Sequence, residues 1–188
     1  MSDSRRPRSA ADARAEVEAR RAEASSAREE TLAAAFPGPV PGAPIRWVSW
    51  IGTVAQTVVS VAAVVDPDRF LTTFFVVSMA LFLLGMLVLA IDVLMAVARS
   101  RYDLMGIGGL FFLVGCAPKA ARTSLNASLG VALVVAVAAT VARLSTPELA
   151  FGTLAPLFQL GMTGLWGVRH GHFPPRSADS PRQDARRG

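Results

Sequence analysis

Apolar residues gather in four uncharged runs, 47–65, 70–91, 123–142 and 149–168, set apart by short polar stretches. A helix rising 1.5 Å per residue needs roughly 20 apolar residues to cross about 30 Å of hydrocarbon, and each run approaches or exceeds that requirement. A soluble all-α bundle would carry polar stripes on its helices, and these runs present none. The pattern predicts an all-α integral membrane four-helix bundle with spans at about 47–65, 70–92, 123–142 and 149–168.

The punctuation between runs agrees. Asp66 and Pro67 form a turn that makes the first two spans an antiparallel hairpin, and Asp68 is placed to cap the second helix. The second apolar pattern continues to Ala98, longer than a crossing requires. Before the fourth span, Thr146, Pro147 and Glu148 read as N-cap, first helical residue and an acid at the positive end of the dipole.

Outside the apolar runs the chain divides into a polar N-terminal tail (1–35), a Pro/Gly-rich linker (36–46) and a basic C-terminal tail (170–188). After Arg5, Arg6 and Arg8, the tail is rich in alanine, arginine and glutamate, with Glu16 four residues before Arg20. These residues favour helix, yet the tail has too few apolar positions to bury a face, so it is expected to be partly helical or disordered. The linker "FPGPVPGAP" is an extended spacer, because proline lacks an amide proton and fixes φ.

The stretch 101–122, "RYDLMGIGGLFFLVGCAPKAAR", decides the topology. If 104–118 does not cross and the N-terminus is cytoplasmic, every one of the 19 cations except Arg69 and Arg143 lies inside. If it does cross, Lys119, Arg122 and the five C-terminal arginines move outside. Lysine and arginine bias in short loops sets orientation, so the first topology is expected. Fifteen helical residues would also reach only about 22 Å. The segment is read as a re-entrant or interfacial cytoplasmic loop packed against the bundle, since irregular backbone at depth must be buried in protein.

Composition sharpens the class. Hydrophobic residues are 52%, charged residues 18%, and the net charge is +5, with a mean hydropathy of +0.43. The cations flank apolar runs, which points to anionic headgroups on the cytoplasmic face rather than to nucleic acid. The opening residues lack an early apolar region, so the first span is expected to act as an uncleaved insertion signal. Cys116 is the one cysteine, so no intramolecular disulfide forms. The expected location is the cell (plasma) membrane, corresponding to a bacterial cell inner membrane, multi-pass, with N- and C-termini cytoplasmic.

Few residues could carry chemistry. Asp92 is the one acid within an apolar run, which makes it a candidate for proton or ion handling; the competing reading is an interfacial carboxylate paired with Arg99. Gln56 and Gln159 fall near the middle of the first and fourth spans, where an amide needs a partner, and a direct bond between them would make those spans neighbours. Ser128, Ala132, Ala136 and Thr140 form a small-residue stripe suited to bundle packing or a homo-oligomer seam. Trp47, Trp50, Trp166 and Arg169 are read as membrane-interface anchors. His170 and His172 lack the further ligands a metal site needs, and no phosphate loop, nucleophile elbow or paired carboxylates are found. No cofactor, metal or enzymatic activity is expected.

The stretches "RYDLMGIGGLFFLVGCAP" and "LAFGTLAPLFQLGMTGLWGVRHGHFPPR" resemble small multi-spanning membrane proteins of high-GC actinobacteria. The resemblance covers about 100–176, and no activity or functional residue comes with it. Four-span multidrug exporters are similar in size but rely on a membrane-embedded glutamate in the first span, where this chain has Gln56. The leading expectation is a non-enzymatic membrane protein that docks a protein partner through its N-terminal tail and inserted loop. The alternative is a small transporter or channel subunit using Asp92, Gln56 and Gln159.

Overall fold

The computed structural model describes residues 10–175, so the patch at Arg5, Arg6 and Arg8 and the chain from Arg176 onward lie outside the described residues. All regular structure among the described residues is helical: α1 (Ala10–Ala35), α2 (Ala43–Val65), α3 (Pro67–Arg99), α4 (Ile107–Phe112), α5 (Lys119–Ala142), a 3-10 helix (Pro147–Leu154) and α6 (Leu157–His170). Three of these, α2, α3 and α5, are long and apolar enough to cross a membrane.

The fourth apolar run does not form one continuous α-helix. It begins as a 3-10 helix after Thr146, whose side chain makes no cap bond, and becomes α-helical only after Pro156. The cause is legible in the chain. Pro156 has no N–H to give and its ring excludes the preceding turn of α-helix, so the run breaks at 155–156. The hairpin cap also differs from expectation. Asp66, not Asp68, caps α3, accepting from the Arg69 backbone N–H at 3.2 Å.

α6 occupies the centre, touching α2, α3, α4 and α5, and most of its side chains are buried. Close approach is possible because glycines line the contact. A Cβ on Gly85 of α3 would come within 2.6 Å of the Phe158 backbone nitrogen, and one on Gly161 within 3.2 Å of Val88. Bare glycine faces allow backbones to pack where no hydrophobic drive from water exists. The stripe Ser128, Ala132 and Ala136 is wholly buried within this one chain, which makes it internal packing.

The distribution of polarity is reversed relative to a water-soluble protein. α2, α3 and α5 expose Ile51, Val54, Leu83, Leu87, Leu94 and Val134 among many others. Their interior holds Ser49, Thr53, Gln56, Ser60, Ser78, Asp92 and Ser128. The polar stripe absent from the sequence reading does exist on α2, at Ser49, Thr53, Gln56 and Ser60, and it faces inward. An apolar exterior around a small-polar interior suits lipid as the outer solvent.

The 101–122 stretch contains α4, six residues long, which rises only about 9 Å, well short of a hydrocarbon thickness of about 30 Å. It ends at Leu113 in left-handed conformation (φ 56°), and Gly115 (φ 74°) turns the chain back. The loop packs on α6: Leu113, Cys116 and Ala117 join Trp166 and Phe173 in a buried cluster.

Two arginines close helix ends. Arg99 donates from Nε to Asp103 at 2.7 Å, and from its terminal nitrogens to the carbonyls of Val168 (2.6 Å) and Gly171 (2.8 Å). Arg143 donates from Nε to the Val64 carbonyl at 2.9 Å. Both satisfy carbonyls at the negative end of a helix. Upstream, α1 is almost entirely exposed, carries the Glu16–Arg20 ion pair, and meets the body near its C-terminal end. There the Arg28 side chain lies beside Gly115, and Phe36 packs on Trp166.

Candidate functional site: a buried polar interior ending at Asp92

Four of the interior polar side chains, Ser49, Thr53, Ser128 and Gln159, form one hydrogen-bonded cluster, and the Asp92 carboxylate stands apart from it. On α2, the helical spacing of Ser49, Thr53 and Gln56 turns all three inward. Ser49 and Thr53 each share a hydrogen bond with the Ser128 hydroxyl of α5, both 2.8 Å. Gln159 of α6 donates to the Thr53 hydroxyl at 3.3 Å; turning its amide over instead gives bonds to the Ala155 carbonyl and the Thr53 backbone N–H, both 3.2 Å. Either orientation ties α6 to α2 through Thr53.

The direct Gln56–Gln159 bond anticipated from sequence is not made. Gln56 instead donates to the carbonyl of Gly152 at 3.1 Å, a backbone group of the 3-10 segment preceding the Pro156 break. Gln56 and Gln159 thus lie in the same interior and on neighbouring helices, but Thr53 and Gly152 intercept them. Helix α2 approaches α6 closely here, since a Cβ on Gly52 would come within 2.7 Å of the Phe158 ring.

Asp92 stands on α3, fully buried at 0% exposure. Neither carboxylate oxygen has a hydrogen-bond partner. Its pairing with Arg99 is also not made, because Asp103 and two carbonyls take that guanidinium. The carboxylate instead faces α6 and α4: a Cβ on Gly164 would lie 2.5 Å from Asp92 Oδ2 and 3.0 Å from the Phe111 ring. The inserted helix therefore supplies an aromatic wall near the acid. Gln56 Oε1, Ser60 Oγ and Ser78 Oγ are likewise buried without partners. Leaving such groups unmade is costly in a low-dielectric interior, most of all for a charge.

The anchors expected from sequence divide. Trp47 is 70% exposed, Trp50 is half-buried with its indole N–H on Ser124 at 3.2 Å, and Arg169 is exposed. Trp166 is turned into the protein instead. It is 0% exposed, donates to the Pro41 carbonyl at 3.0 Å, and makes tilted ring contacts with Phe36 and His170. It pins the proline linker to α6, where Gly42 adopts φ 71° with no room for a side chain beside the indole.

Two further residues have structural roles. Cys116 Sγ donates to the Gly109 carbonyl at 3.0 Å, and burial pushes its thiol up to about 11 despite the nearby Arg99 charge, so little reactive thiolate forms. Among the described residues no group of three or more histidine, cysteine or acidic side chains gathers as a metal site would require. No family model, curated protein or solved structure matches this chain.

Proposed function

We propose that this chain is a small transporter or channel subunit of the plasma membrane, crossing it four times with both termini cytoplasmic, in which Asp92 binds a proton or small monovalent cation. The fourth crossing is supplied by the 3-10 helix and α6 end to end, about 37 Å at 2.0 and 1.5 Å per residue. The orientation rests on the cation asymmetry, with only Arg69 and Arg143 outside.

One observation carries the reading: a carboxylate fully buried among long apolar helices, with both oxygens unpartnered. An ionisable group inside a membrane bundle normally finds a partner or serves a mobile charge, and the obvious partner, Arg99, is engaged elsewhere. Unpartnered buried oxygens also occur on Gln56, Ser60 and Ser78, nearer the α2–α3 turn. Gln56 and Ser78 sit at similar distances from the Asp66 turn of the α2–α3 hairpin, and Asp92 is about 21 Å further along α3 than Ser78.

Docking through the tail remains a second reading, supported by α1, which shows its polar surface to the outside along nearly all its length. α1 has no apolar face to offer a partner helix, and Asp92 would be irrelevant to it. Thermal melting in detergent separates the two. A ligand that binds only the folded chain stabilises it. On the transport reading, sodium, potassium or added acid raises the melting temperature of the wild type relative to Asp92→Asn. Identical responses of the two proteins would defeat the proposal.

A further inference from the structure

We infer that the furrow between α2 and α5 binds one anionic phospholipid, its phosphodiester at Arg46 and one acyl chain along the seam. Two cavities mark the ends of this furrow. The first, about 280 Å³, is lined by Ala43, Arg46, Trp47, Trp50 and Ser124. The second, about 250 Å³, is lined by Val61, Val64 and Val65 of α2 and by Val135, Ala138 and Ala142 of α5, among others. Residue numbers rise together on both helices from one cavity to the other, so α2 and α5 run parallel and the cavities share one seam.

The first cavity has the chemistry of a headgroup site. Arg46 Nε is buried with no hydrogen-bond partner, and no acid is among the lining residues. A guanidinium fork matches a phosphodiester. Trp47 and Trp50 bracket it with indoles, which favour the headgroup–hydrocarbon boundary. Lys119 and Arg122 lie five and two residues before Ser124 on the same first turns of α5, so this end of the helix is cationic and also favours an anion.

The second cavity explains why the occupant is a lipid rather than a free phosphate. From Trp50 to Val61 is about 16 Å of helix, close to the roughly 15 Å thickness of one hydrocarbon leaflet. Between the cavities α2 exposes Val54 and Val58, and α5 exposes Val131. A chain hanging from Arg46 would run past valines and end where the apolar cavity begins. A soluble anion would use only the first cavity. A basic pocket between spanning helices is a recurrent lipid-headgroup solution.

The test is native mass spectrometry of the full chain, released from detergent containing equal amounts of long-chain phosphatidylglycerol and phosphatidylcholine. The wild type is expected to retain phosphatidylglycerol over phosphatidylcholine by about fivefold, as one arginine near the surface would give. Arg46→Gln should bring the ratio to parity. Ala138→Phe, which fills the apolar end without touching charge, should weaken retention of the long-chain lipid but not of dihexanoyl phosphatidylglycerol. That second variant keeps the test alive if Arg46→Gln fails to fold. Millimolar inorganic phosphate should not displace the lipid. Equal retention of both lipids by the wild type, an unchanged preference in Arg46→Gln, no effect of Ala138→Phe, or displacement by inorganic phosphate would each overturn the inference.

Discussion

The carboxylate of Asp92 and the bare Cα of Gly164 are fitted to each other: a Cβ on Gly164 would stand 2.5 Å from Asp92 Oδ2 and 3.0 Å from the ring of Phe111. Three elements, α3, α6 and the inserted α4, therefore meet at one glycine. Gly164→Ala should destabilise the protein by about 1–3 kcal/mol, the usual cost of overpacking, measured as a fall in melting temperature in detergent. Gly108→Ala is the control, since no atom lies within 4 Å of its Cβ position; its melting temperature should not fall.

Asp92 itself is a stability liability on this account. Both oxygens are buried without partners, and an amide of the same shape removes the charge. Asp92→Asn should raise thermal stability in the absence of added cation, because an unpartnered buried amide costs less than an unpartnered buried charge. Such a gain is the common mark of a functional position. A loss of stability in Asp92→Asn would show that the carboxylate holds the fold together.

Thr53 is the opposite case, because its hydroxyl bonds both the hydroxyl and the backbone carbonyl of Ser128. Thr53→Val keeps the shape and removes the hydroxyl. The expected cost is about 1–2 kcal/mol, given roughly 0.6–2 kcal/mol for an interhelical bond in a membrane bundle. Chemical denaturation in mixed micelles measures it, and an unaltered midpoint would mean that the network contributes nothing.

Arg99 should act locally. It ties Asp103 and the carbonyls of Val168 and Gly171 together, and its guanidinium lies over Phe173. Arg99→Gln should release residues 171–175 from the body, seen as at least tenfold faster amide exchange for His172, whose N–H bonds the Cys116 carbonyl. A tenfold change corresponds to about 1.4 kcal/mol, below the cost of opening the whole fold.

Much of this architecture is legible in the chain. Uncharged runs mark α2, α3 and α5 to within a few residues at most ends, because charge and proline are what lipid and helix exclude. α3 extends to Arg99, past the estimated end of its span. The fourth run misleads because absence of charge says nothing about backbone geometry; Pro156 was the readable sign of the break at 155–156. Trp166 reads as an anchor because an indole beside Arg169 looks interfacial. Only the glycines of α6, which let α3 and α4 close over it, show that its place is internal. At Asp92 the sequence offers Arg99 as partner, two turns away on one helix. Asp103, four residues beyond Arg99, was the competing acid, at helical ion-pair spacing. The glutamines failed to pair because each found another group, and one of these, the Gly152 carbonyl, is a group that Pro156, four residues on and without an N–H, cannot serve.

The most direct measurement is ion flux in sealed vesicles holding the purified full chain, driven by an imposed gradient of protons, sodium or potassium. The wild type should dissipate at least one of these gradients faster than empty vesicles, Asp92→Asn should not, and a chain lacking residues 1–35 should keep the wild-type rate. Flux that is unaffected by Asp92→Asn, or no flux of any of the three ions, would contradict the account.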